Sequence, residues 1–290
     1  MVRLIVDSTC DMQEEWRARY QIRSVSLMVN IDDKMYRDGK DITISDLYEV
    51  MRKGVFPKTS QAPADELDTA FREAAEGGDD CLYLSFSSEM SGTYNLANII
   101  ARQILEEYPQ RRIEIVDSRG GSFATGLIAM QLSKLIEQGM TLDMLAQRAR
   151  TMTGIVEHLF TLSSLEWLSK GGRIARPIGM AGDILKLKPI LDVKNGKMEV
   201  IQIVRGRKKA LSALVEKVAE RASGFPRQLI GLTHADDLAS AQTVKQMILE
   251  RLPEAQIEIC EIGCVLGVHL GIGGVGVFFF REMPQDYGII

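Results

Sequence analysis

The sequence predicts an α/β protein of two domains: an N-terminal Rossmann-like domain around a parallel sheet, then a C-terminal α/β domain with antiparallel elements. Three observations predict it. Short apolar runs alternate with amphipathic stretches through the first half, the mark of parallel βαβ units. In the second half Asn195-Gly196 stands between two β-rich runs, the strongest short-range signal for a two-residue hairpin. A chain of 290 residues, 46% of them apolar, is long enough for about two domains with a core in each.

Taken in order, VRLIVD (2–7) reads as a strand followed by a helical stretch from Asp11, CLYLSF (81–86) as a strand followed by a helix from Ser91, and RIEIVD (112–117) as a strand followed by a helix from Gly121. A second helix follows that one before VEHLFTL (156–162), which places the boundary between Thr151 and Ile155 and the domains at 1–153 and 154–290. PILDVKNGKMEVIQIV (189–204) supplies the hairpin, an antiparallel feature that the first half mostly lacks. Leu211, Leu214, Val215 and Val218 stripe one helix face, as do Leu238, Ala241, Val244, Ile248 and Leu252, at the spacing of buried helical positions. Pro253 ends the second of these.

Composition narrows the partners. A formal net charge of −4 with both signs scattered along the chain offers no footprint for nucleic acid. No apolar run approaches the roughly 20 residues that cross a bilayer, and MVRLIVDSTCD turns polar too early for a secretory signal. A cytoplasmic protein without stable membrane insertion is therefore expected. Cys10, Cys81, Cys260 and Cys264 contain no CxxC pair, and His269 beside CEIGC does not complete a zinc set, so buried reduced thiols and no metal are expected.

HLGIGGVGVFFF (269–280) carries Gly271, Gly273 and Gly276 at GxGxxG spacing. A dinucleotide site needs those glycines to open a helix, with an acidic residue about 20 positions on. Here a β-type run follows and only 14 residues remain, so the glycines are expected to allow a tight turn or a close backbone approach. Small hydroxyl residues cluster in DSTCD (7–11), KTSQAP (58–63), FSSEMSGTYN (86–95) and DSRGGS (117–122). Each alone would read as a helix cap. Together they fall where strands of an open parallel sheet end and ligands bind. Ser91, Asp117 and His269 also occur in the chain order of an α/β-hydrolase triad, without the GxSxG elbow. A serine hydrolase or acyltransferase using Ser91 and His269 is the alternative reading.

The set DSTCD, KTSQAP, SSEMSGTYN, DSRGGSFATG, LSKGGRI, LKLKPIL, VRGRKKA and HLGIGG, in this order over nearly the whole chain, resembles the DegV family of bacterial fatty-acid-binding proteins. The resemblance implies a two-domain DegV-like fold with a long-chain fatty acid held between the domains. It implies an acyl carrier for a fatty acid kinase that phosphorylates the bound carboxylate, on the way to phospholipid. The carrier performs no catalysis of its own and needs no cofactor. By the same likeness Thr59 of KTSQ and Ser91 of SGTY bind the carboxylate, while Arg173 of GGRI, Arg205 of VRGRKKA and His269 of HLGIGG are the charged positions of the cleft and of work with the kinase. Two positions depart from the family pattern: Ile272 stands where a proline is usual, and Ala124 where a glycine is usual.

Overall fold

The computed structural model describes residues 1–174 and 187–288; Leu185 and Lys186 of the LKLKPIL motif lie outside them. In the first half, strands β1 (Val2–Asp7), β2 (Arg23–Val25), β3 (Met28–Ile31), β4 (Lys34–Arg37), β5 (Lys58–Ser60), β6 (Asp80–Ser85) and β7 (Ile113–Asp117) divide between two sheets. One is parallel, in the order β2-β1-β6-β7. The other is a three-stranded antiparallel sheet, β4-β3-β5. That second sheet corrects the expectation that the first half largely lacks antiparallel pairing.

Helices α1 (Glu14–Arg19), α2 (Ile44–Arg52), α3 (Ala64–Glu76), α4 (Thr93–Glu107), α5 (Phe123–Glu137) and α6 (Leu142–Thr153) complete this half. The helices begin two to three residues later than expected. A 3-10 turn at Ser8–Cys10 and a left-handed Asp11 precede α1, and Ser91 and Gly121 lie in the loops before α4 and α5. The hydroxyls therefore sit in the loops, where they can face a ligand.

The second half contains β8 (Val156–Thr161), α7 (Glu166–Gly171), β9 (Leu187–Lys194), β10 (Lys197–Arg205), α8 (Arg207–Arg221), β11 (Leu229–His234), α9 (Leu238–Arg251), β12 (Gln256–Glu261), α10 (Cys264–Leu270) and β13 (Val275–Phe280). Its six strands form one mixed sheet, β10-β9-β8-β13-β11-β12, antiparallel except between β11 and β12. The Asn195-Gly196 turn joins β9 to β10, with both residues at positive φ (49° and 82°), as a type I′ hairpin requires.

Alternation along the strands gives this sheet two different faces. Leu159, Val275, Val277, Ile230 and Leu232 pack against α8 and α9. The opposite face, with His158, Phe160, Thr233, Gly276 and Phe278, turns toward the first half and frames a cavity.

Candidate functional site

α10 comes late in the chain yet is anchored to the first half. The Asp38 carboxylate accepts the backbone N–H groups of Cys264 and Val265 (3.0 and 3.4 Å), and Asp11 accepts the N–H of Gly263 (2.8 Å) and the hydroxyl of Ser122 (2.6 Å). These two acidic side chains satisfy donors that a helix start leaves free. Burial pushes the Asp11 carboxyl up to about 8, against the lowering effect of those same donors. The helix stops at Gly271, whose φ of 71° suits glycine; a β-carbon there would collide with the Trp167 ring. The bond from the Gly273 N–H to the Ala235 carbonyl (2.7 Å) then leads the chain into β13. The glycines of HLGIGG thus make a tight turn from helix to strand, as expected.

This anchoring sets the imidazole of His269 against β5, with Nε2 2.7 Å from Thr59 Oγ1. His269 is 6% exposed. Burial first, and the nearby Arg173 second, push its pKa down to about 4, so the ring is neutral near pH 7. Nδ1 has no partner among the described residues and abuts Gly171, where any β-carbon would collide with it. An orphaned N–H is rarer than an orphaned acceptor, which favours the tautomer with its proton on Nε2. That proton is donated to Thr59 Oγ1, and the Thr59 hydroxyl is left to donate elsewhere.

Ser91 reaches the same place from the β6–α4 loop. Its Oγ accepts the Thr93 N–H (3.3 Å) and lies 2.9 Å from Thr93 Oγ1, which in turn accepts the Ala62 N–H (3.2 Å). This chain of bonds ties the segment after β5 to the start of α4. Arg173 donates from Nη1 to the Gly171 carbonyl (2.6 Å) and from Nε to the Met90 carbonyl (3.4 Å).

Thr59, Ser91, Arg173 and His269 all line one cavity of about 380 Å³. Its remaining walls are mostly apolar, with Leu27, Phe86, Met90, Phe160, Leu162 and Val265 among them. Arg205, the last residue of β10, is not part of this wall. Of the hydrolase alternative, Ser91 and His269 line this same cavity, with His269 hydrogen-bonded to Thr59, while Asp117 accepts the Ser88 hydroxyl (2.6 Å) and the Arg119 N–H (2.9 Å) and lines another cleft.

His158 lines the same cavity and was not among the site residues read from the sequence. Its Nε2 is unpartnered among the described residues, and burial pushes its pKa down to about 4. A period of two in VEHLFTL puts it on the same face as Phe160, and that was the available signal. Among the described residues no group of three or more His, Cys, Asp or Glu could hold a metal, and no helix is long and apolar enough to cross a membrane. All four cysteines are buried and unpaired.

Comparison with known proteins places this geometry among relatives. The profile of the DegV family, described as uncharacterised proteins, matches residues 1–282. A DegV domain-containing protein of Clostridium perfringens is 34% identical over 285 residues, 97% of this chain and 98% of the relative. A solved DegV family protein from Thermus thermophilus, reported for fatty acid binding, superposes with a TM-score of 0.88 at 30% identity, covering 96% of this chain and 99% of that one. A stearic acid-binding protein of Eubacterium ventriosum gives a TM-score of 0.90 at 26% identity, covering 97% and 99%.

Proposed function

The chain belongs to the DegV family, and from that premise we propose that it binds a long-chain fatty acid between lobes 1–153 and 154–290 and presents the carboxylate to a fatty acid kinase. The observation that carries this reading is the apolar cavity with Thr59 and Ser91 in the same wall. The relatives from Thermus and Eubacterium, named for fatty acid and stearic acid binding, support it. The kinase partner rests on the family resemblance, and the four unpaired, buried cysteines support work in the cytoplasm.

Tail and head contribute unequally. Burying about 15 methylenes is worth on the order of 10 kcal/mol before ordering costs, at about 0.8 kcal/mol each. A hydrogen bond to a charged group contributes about 1.5–3 kcal/mol. The tail therefore sets affinity and the head sets orientation. Neutral hydroxyls hold the carboxylate without the two-pronged clamp of an arginine, so an oxygen stays available as a nucleophile. Arg173, held by two backbone carbonyls, supplies positive charge to the cavity wall and to the docking kinase. Arg205, outside the wall, acts at the kinase-facing surface.

Native mass spectrometry of purified protein tests the first half of the proposal, with a retained acyl chain as the expected result. Ser91→Ala is expected to retain that lipid while lowering the rate of phosphoryl transfer by the kinase. Equal losses of lipid and transfer would remove Ser91 from the presenting role, and protein free of acyl chains would end the reading.

A further inference from the structure

The two strands that floor the cavity run antiparallel in a fixed register: Gly276 faces Phe160, Phe278 faces His158, and Phe280 faces Val156. The first two rows line the cavity, while the third does not. Val156 and Phe280 instead belong to a close-packed core with Phe123 and Leu127, and Phe278 belongs to both. The Gly271–Gly274 turn, next to His269, lies at the other end of β13. From Gly274 to Phe278 the floor runs about 13 Å, at about 3.3 Å per residue. Along this run Gly274, just before β13, and Gly276, paired with Phe160 and Thr233, line the cavity without a side chain.

The Phe278 ring folds back over Gly276 rather than pointing only into the core. A β-carbon built at Gly276 would fall 2.8 Å from Phe278 Cζ and 3.0 Å from Thr233 Oγ1. The ring meets His158 edge-on, with centroids 5.8 Å apart and planes at 90°, and is 4% exposed. We infer that Phe278, seated on Gly276 and braced by His158, is the stop against which the end of the acyl chain rests, and that it sets the chain length retained. The inference deepens the fatty-acid reading and rests on it. A longer chain would have to drive the ring into the Phe123–Phe280 core, and protein interiors are packed too densely to yield that space.

The test compares the acyl chains co-purifying with the wild type, Phe278→Leu, Phe278→Ala and Phe280→Leu, read by native mass spectrometry and by competition among a graded series of saturated fatty acids. Removing the ring leaves a cavity, and the mean retained chain is expected to lengthen by about two carbons or more in Phe278→Ala, and by less in Phe278→Leu. The leucine variant carries the test if the alanine variant does not fold. Phe280→Leu, one row deeper, is expected to leave the distribution unchanged. Unaltered chain lengths in lipid-loaded Phe278 variants would overturn the stop, as would an equal shift in Phe280→Leu. Wild-type protein with no acyl chain would overturn the fatty-acid reading itself, and the stop with it.

Discussion

Thr59 and His269 are 210 residues apart in sequence and share one short hydrogen bond. On the fatty-acid proposal, that bond gives the neutral histidine the part of aiming a hydroxyl rather than adding a charge. Thr59→Val is expected to weaken fatty acid binding by about 1.5–3 kcal/mol, at least tenfold in Kd, while Thr59→Ser keeps most of the affinity; a fluorescent fatty acid titration checks both. Two buried histidines also set a pH dependence. His158 and His269 have pKa values pushed down from 6.5 to about 4. The unfolded chain therefore binds more protons between those values, and stability rises with pH across the window. As pH falls from about 6.5 toward 4, up to about 3 kcal/mol per histidine is lost, and His158→Gln is expected to flatten that loss in denaturant melts. At this scale the hydroxyls were legible, because Ser and Thr cluster at strand ends. The role of His158 was not, because a lone histidine looks the same in sequence whether it meets a cavity or a core.

Among the elements, the β9–β10 hairpin joins the halves. The Ser87 hydroxyl donates to the Gly196 carbonyl (2.7 Å), Lys197 pairs with Glu89 (3.0 Å), and Val193 and Met198 beside the turn line the cavity. The exposed ion pair contributes little, so the buried hydroxyl is the contact that matters. Ser87→Ala is expected to speed release of a fluorescent fatty acid to acceptor vesicles by roughly threefold to tenfold; an unchanged rate would mean that the hairpin does not cover the exit. This hairpin was legible from Asn195-Gly196. The β3–β4 hairpin was not, since its turn uses Asp32 and Asp33, both at positive φ (48° and 63°) without any glycine. β5 escaped notice for another reason. Three residues, paired to a strand almost thirty positions earlier, give no local period to read.

For the whole molecule, among the described residues every strand through Asp117 lies in the first two sheets and every strand from Val156 in the third. The cores do not follow that division. One joins Leu4, Phe123 and Leu127 to Phe225, Cys260 and Phe280; another joins Leu47 and Phe71 to Val265 and Val268. Such sharing was invisible in sequence, because periodicity shows which face is apolar and not what covers it. A single calorimetric unfolding transition is expected, raised by saturating fatty acid. Two separated transitions, or a fragment 1–153 that folds stably alone, would contradict it.

The placement of α10 has a consequence for biosynthesis. The segment that carries His269 packs onto α2, β3 and β5, all translated long before it. A nascent chain halted before Cys264 has the hydroxyls of Thr59 and Ser91 but neither the imidazole nor the wall behind them. Lipid capture should thus wait for this segment, and ribosome-stalled chains ending short of Cys264 should emerge without cargo.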